Sequence, residues 1–364
     1  MVRRSHDLRY LSDDRAEELD GVRNDGPGWW WRGAGDPGDA VSTARVLTGS
    51  PRSSVCGYDL IVAAPRPVSI LVALDPARAS SVVSAHRRAV AASIDYLERR
   101  ALVVRDRRGG EDREVSARWS EVVSYTHGLN RHGEPHLHDH VIVGARPDGA
   151  DHGLDSRALF AHGAAADAVY RAQLRHEIAR TTPFTPWRSF DGVEHVAGLD
   201  EGYRTLWGGH YVDRGEKLHW TREQTMRQWA SDLGRFQSEV TVATAQRRND
   251  TLDEHAFGAA LEGRREVTRR HVVAAWANAA TFGLTSRNLD ASIDMLYPSL
   301  AHSRGVRESV LGLREARMIA EVREHGPRPL DARALSQWRQ RDLASDRFHQ
   351  RELDRECSRS DRSR

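Results

Sequence analysis

Apolar positions along the chain change their spacing several times, and each change marks a new element. Over residues 57–74 two apolar runs, GYDLIVAA and VSILVAL, lie on either side of a turn at Pro65 and Pro67 and predict two strands. Asp75 followed by Pro76 predicts a helix start, because aspartate caps and proline tolerates the first helical position. The helix that follows carries Val83, Val90, Ile94 and Leu97 on one stripe. Strands are expected at 101–104 and 119–126, on either side of a charged turn through Gly109 and Gly110. Asp155 is placed to cap a second long helix, with Tyr170, Leu174 and Ile178 on its apolar stripe and Arg171 and Arg175 beside it. Residues 182–215 are loop-rich, with a weak strand at 193–196. Thr221 and Gln224 have capping-box spacing and open a helix through Trp229. Beyond about residue 250 the pattern is helical, at 267–280, 310–322 and 332–338. From about 342 the chain mixes arginine, acids and serine without apolar period, and is expected to be disordered or loosely helical.

One strand carries chemistry. The run HGLNRHGEPHLHDHVIV, residues 127–143, holds five histidines, three of them at alternating positions. Successive strand side chains point to opposite faces, so His136, His138 and His140 share one face while Leu137, Asp139 and Val141 share the other. Imidazoles clustered on one rigid strand present nitrogen ligands to a divalent metal. The competing reading is a histidine-rich surface strand without a ligand.

Composition narrows the class. The chain has 364 residues, 39% of them hydrophobic and 29% charged, enough for one large domain or two with ample core. No apolar run approaches bilayer-spanning length, and MVRRSHDLRY lacks the apolar stretch of a signal peptide. Cys56 and Cys357 are too few for a disulfide framework or a zinc ribbon, which fits a reducing, cytoplasmic setting without membrane insertion. The formal net charge of +2 neither supports nor excludes nucleic acid. Lys217 is the only lysine, so any phosphate-binding surface must be built from arginine. No GxxxxGK[ST] run occurs in the chain.

The order GYDL, APRPVS, TH and PHLHDH resembles the relaxase domain of the TrwC/TraI (MobF) class of conjugative nickases over approximately residues 25–230. That resemblance implies an HUH-type α+β fold, a central antiparallel sheet flanked by helices. The family's metal spacing H-x10-H-x-H falls on His127, His138 and His140, and His136 stands where the family usually has glutamine, as an accessory residue. Gly57 to Leu60 match its Gly-aromatic-Asp-Leu strand, and Ala63 to Ser69 match its Ser-Ala-Pro-Lys-Ser-Val-Ser turn, with Arg66 in place of lysine. LDSRALFAHGAAADAVYRAQLRHEI resembles the helix that follows the histidine strand. The resemblance implies a Mg²⁺ or Mn²⁺ ion, with Zn²⁺ as the alternative. It implies that Asp59 orients a ligand histidine, and that a tyrosine near the N-terminus attacks a DNA phosphate to leave a 5′-phosphotyrosyl link.

The nucleophile is the least regular match. Family members carry a first strand and one or two tyrosine pairs before a Trp-x-Gly segment, whereas here Tyr10 alone lies upstream of Trp31 and no first strand is recognisable. Tyr10 is the candidate by elimination; the competing readings are an N-terminally truncated chain and a domain that has lost nicking. Trp29 and Trp30, in a glycine-bounded loop, are candidates for stacking on unpaired bases. Arg32 and Arg66 are candidates for phosphate contacts. The implied partner is single-stranded DNA with an origin-of-transfer hairpin. An accessory DNA-binding protein, a helicase and a coupling protein of a transfer apparatus complete the expected set.

The expected organisation is a relaxase domain over 1–245, a helical extension over 246–340 and a charged tail over 341–364. The alternative from another class is a histidine-triad nucleotide hydrolase or transferase, in which His138 is the nucleophile and no metal is needed. Asp139 in place of an apolar residue, and His127 left without a role, count against it. A rolling-circle replication initiator and a nicking-inactive DNA-binding relative keep the fold and change the role.

Overall fold

The computed structural model describes residues 2–5, 30–32, 57–75, 77–106, 113–119, 122–130, 132–145, 154–199, 207, 222–235, 252–262, 264 and 267–300. Its strands are β1 (Val2–Ser5), β2 (Trp30–Arg32), β3 (Gly57–Ala63), β4 (Val103–Asp106), β5 (Arg113–Ser116), β6 (Val122–Leu129), β7 (Pro135–Gly144), β8 (Pro186–Arg188) and β9 (Glu194–Val196). Its helices are α1 (Arg66–Leu74), α2 (Ala79–Arg100), α3 (Ser156–Thr181), α4 (Arg222–Arg235), α5 (Glu254–Leu261), α6 (Arg269–Ala279) and α7 (Ser286–Leu300). One sheet runs in the order β1-β3-β7-β6-β2, and every neighbouring pair in it is antiparallel. The pairs β4–β5 and β8–β9 form separate two-stranded ribbons. This is the α+β arrangement expected from the sequence.

Strand alternation decides where the core sits. Tyr58, Leu60 and Val62 of β3, Val122 of β6, and Leu137, Val141 and Val143 of β7 face the long helices α2 and α3. There they meet the expected stripes, Val83, Val90, Ile94 and Leu97 on α2 and Tyr170, Leu174 and Ile178 on α3, all buried. Each such aliphatic side chain contributes about 1.5–3 kcal/mol on burial. Phe257, Leu261, Val272, Val273, Leu289 and Ile293 of α5, α6 and α7 belong to the same apolar cluster. The boundary expected at residue 245 therefore lies between elements that share one core. The α6–α7 turn lies hard against α3: Gly283 has φ +80°, and a Cβ there would meet the Ala172 carbonyl oxygen at 2.3 Å. Nearby, the buried Arg175 guanidinium donates to the Ala277 and Ala280 carbonyls at 2.8 and 2.9 Å and to Glu194 Oε1 at 2.8 Å. It thereby ties α3, α6 and β9 together.

Three sequence expectations are corrected. VSILVAL is not a strand: residues 66–74 form α1, with Pro67 in the first turn and Pro67–Ala73 buried throughout. A run buried on every side has no solvent face, hence no period to tell helix from strand, and proline favours the first helical turn. Asp75 does not start the next helix; it is the C-cap of α1, its carboxylate accepts from the Arg78 amide at 3.2 Å, and α2 begins at Ala79. Finally, Val2–Ser5 supply a first strand that the pattern did not reveal, held by pairing with β3. The Asp155 cap is as expected, its side chain accepting from the Arg157 amide. The helices expected at 310–322 and 332–338, and the tail, lie outside the described residues. No helix among the described residues is long and apolar enough to cross a membrane.

Candidate metal centre

The face of the sheet opposite α2 and α3 carries the histidines. His127 on β6 pairs in register with His138 on β7, just before a bulge that separates His127 from Leu129. His140 lies two residues further along β7, on the same face. His127, His138 and His140 each offer a ring nitrogen, and those nitrogens lie within 4.8 Å of one another. Metal–nitrogen bonds of about 2.1 Å put ligand nitrogens roughly 3–3.5 Å apart, so small ring rotations bring the three onto one ion. The residues fit a divalent metal.

The protons are arranged for that use. Asp59, fully buried on β3, faces His140 Nδ1 with its two oxygens at 2.9 and 3.0 Å. The carboxylate assigns the proton to Nδ1, which leaves Nε2 of His140 as the lone-pair nitrogen. His138 Nδ1 lies 2.8 Å from the His136 carbonyl oxygen, which assigns the same tautomer there. Burial, then the neighbouring His127, His136 and His140, hold the His138 imidazole well below its ordinary pKa, so it is neutral at pH 7. A neutral ring is what a metal requires.

The other candidate residues fall in different places. The His136 ring leans on that of His138, with centroids 4.6 Å apart, but stands outside the triad. Burial and then Arg66 push its pKa down to about 4, against the opposing pull of Glu134. Arg66 at the start of α1 is paired with Glu134 at 2.7 Å, across the hairpin that joins β6 and β7. That hairpin is tightly held. Asn130 Oδ1 accepts from the His132 and Glu134 amides, and Trp229 of α4 donates to the Gly133 carbonyl at 2.8 Å. Trp229 sits with Trp207, Ile70 and Ala73 in a small second apolar cluster. Trp30 and Arg32 belong to β2, paired with Ser124 and Val122 at the edge of the sheet. Tyr10 and Trp29 lie outside the described residues.

Sequence reasoning did not single out the Trp229 clamp or the polar cluster behind the metal strand. Asp139 is completely buried there, between His86 of α2 and Ser124 of β6. A signal for it existed: strand alternation already sets Asp139 on the apolar face, and a buried carboxyl demands partners.

An antiparallel sheet backed by two long helices, with three imidazoles and a buried aspartate on its open face, defines a metal-binding α+β domain of relaxase type. The TrwC relaxase family model matches residues 14–281, and the chain belongs to that family. Among solved structures, conjugative relaxase TrwC in complex with oriT DNA, in its metal-free form, aligns with 18% identity and a TM-score of 0.51, over 66% of this chain and 100% of that one. A copper-bound TrwC–oriT complex aligns with 20% identity and a TM-score of 0.50, over 66% and 99%. A TrwC complex with mutant oriT DNA aligns with 19% identity and a TM-score of 0.50, over 66% and 100%. At these identities the likeness shows the fold. No curated protein matches the chain. Family membership decides against the histidine-triad nucleotide hydrolase, which also leaves Asp59 and His127 without a role.

Proposed function

We propose that this chain is a conjugative relaxase, a metal-dependent nickase and strand transferase acting on single-stranded DNA at an origin of transfer with a hairpin. The observation that carries the reading is the His127, His138 and His140 triad, with Asp59 fixing the tautomer of His140. His127, His138 and His140 hold the ion, Mg²⁺ or Mn²⁺ in this reading, through neutral imidazoles. When bound, the ion polarises the scissile phosphate and offsets charge developing on its oxygens. Tyr10 is the proposed nucleophile. Its phenolic oxygen bonds to phosphorus, the P–O3′ bond breaks, the phenolic proton is lost and a proton is taken up by the 3′ oxygen. The product is a 5′-phosphotyrosyl link and a free 3′-hydroxyl, and the covalent link lets the strand be resealed. The DNA carried by the TrwC structures supports an oriT strand as the partner. Trp29, Trp30, Arg32 and Arg66 are the proposed contacts to bases and phosphates, and an accessory protein, helicase and coupling protein remain part of the proposal. The relaxase unit is proposed to run past residue 245, supported by the shared core of α3, α5 and α6 and by the family match to residue 281.

The test is incubation with single-stranded DNA from the transfer region of the element, in Mn²⁺ or Mg²⁺ and in EDTA. The expected result is a denaturant-resistant adduct formed only with metal, with the linked peptide containing Tyr10. Tyr10→Phe should bind DNA and form no adduct; an adduct on that variant moves the nucleophile elsewhere. Undiminished cleavage by both His138→Ala and His140→Ala would sink the metal assignment.

A further inference from the structure

Asp139 is the one charged side chain on the core face of β7, and it is 0% exposed, among Leu137, Val141 and Val143. Its Oδ2 accepts from Ser124 Oγ of β6 at 2.6 Å, and its Oδ1 lies 2.9 Å from His86 Nε2 of α2. His86 Nδ1 lies 2.7 Å from the Tyr170 hydroxyl of α3, and both rings are fully buried. Burial and the Asp139 carboxylate push the Tyr170 phenol well up, so it keeps its proton and donates to Nδ1. Nε2–H of His86 is then the donor to Asp139. Four buried side chains from four elements thus satisfy one another.

Such a network is a poor source of stability, since apolar side chains of similar volume do as well or better. Its distinctive contribution is register. A slip of one residue would turn the histidines into the core, so the apolar pattern alone forbids it. A slip of two residues keeps every face and merely exchanges Leu137, Val141 and Val143 among equivalent apolar sites. It would also carry His138 away from His127 and His140 away from Asp59. The β6–β7 hairpin restrains one side of β7, but β3 is far away in sequence and no turn fixes its register against β7. His86 supplies that link, because β3, α1 and α2 follow one another closely along the chain.

We propose that Asp139, pinned by His86 and Ser124, is a positioning residue that locks β7 against β3 and β6 and so assembles the triad. This rests on the metal-site reading, and the test separates the two. Co²⁺ is titrated into the full chain while its visible absorption spectrum is recorded, with circular dichroism as a check on folding. Asp139→Asn keeps the shape but cannot accept from both donors. In the His86→Leu, Asp139→Leu and Tyr170→Phe triple variant, made in a Ser124→Ala background, no member of the pinned chain is left without its partner. The expected result is that both variants keep native circular dichroism, lose about 10-fold or more in Co²⁺ affinity and show an altered spectrum. If Asp139→Asn fails to fold, the triple variant decides. A folded triple variant with the wild-type spectrum and affinity overturns the positioning role while leaving the metal site standing. Absence of any Co²⁺ spectrum in the wild-type protein overturns the metal reading, and the positioning role with it.

Discussion

His140 is oriented from behind by a carboxylate that never reaches solvent, and that contact sets the first prediction. Asp59→Asn preserves volume but weakens the hold on the Nδ1 proton, so Mn²⁺ affinity measured by calorimetry should fall about 10–100-fold. His162 gives a second prediction, far from the triad. Its Nδ1 lies 2.9 Å from the Tyr96 hydroxyl, and burial followed by Arg270 and Arg100 lowers its pKa to about 4. A histidine held below its unfolded pKa of about 6.5 takes up its proton in the unfolded chain first. Its contribution to stability is therefore full above pH 6.5 and is lost as pH falls from 6.5 towards 4. Urea unfolding across that range should show a shallower acid loss in His162→Gln than in the wild type; equal slopes would count against the His162 assignment. At this scale the site was largely legible. Strand alternation grouped His136 with His138 and His140, and the family resemblance supplied both His127 in its place and Asp59. Alternation marked Asp139 as buried but not its partner, because His86 lies 53 residues away on a helix and leaves no local mark.

Elements show where pattern reading succeeds and where burial defeats it. The amphipathic helix α2 was legible because one face of it meets water, α3 because Asp155 caps its start and Tyr170, Leu174 and Ile178 repeat at helical spacing, and β7 because its histidines alternate with apolar residues. In α1 every residue from Pro67 to Ala73 is buried, and its period disappears. Two contacts between elements can be tested directly. Trp229→Phe keeps most of the packing against Trp207 and Ile70 but removes the donor to the Gly133 carbonyl, and should cost about 1 kcal/mol in chemical denaturation. Trp229→Ala should cost about 3–5 kcal/mol. Gly283→Ala puts a methyl group against the backbone of α3 at a positive φ, where no side-chain rotation relieves it. Its melting temperature should drop by several degrees, for a loss of more than about 1 kcal/mol.

Across the whole molecule, the triad's three ligands come from a single β-hairpin, while the remaining elements act as its scaffold. The C-terminal helices contribute through the Arg175 knot, whose guanidinium satisfies Glu194 and two carbonyls of the α6 end. Arg175→Leu takes the donor from the Ala277 and Ala280 carbonyls, while Glu194 keeps Arg188, and should destabilise the fold by about 2–4 kcal/mol in urea titration, with metal affinity unchanged in the folded protein. A locally encoded ligand set also has a kinetic meaning. Residues 127–140 close over a short loop, and a ten-residue loop closes in about 10–100 ns. The hairpin can thus bring its imidazoles together before β3 delivers Asp59 from much earlier in the chain. An ion captured by that nascent hairpin would bias its pairing from the start of folding. In the finished protein, added metal should slow amide exchange first in β6 and β7 and last in the helices that surround Gly283.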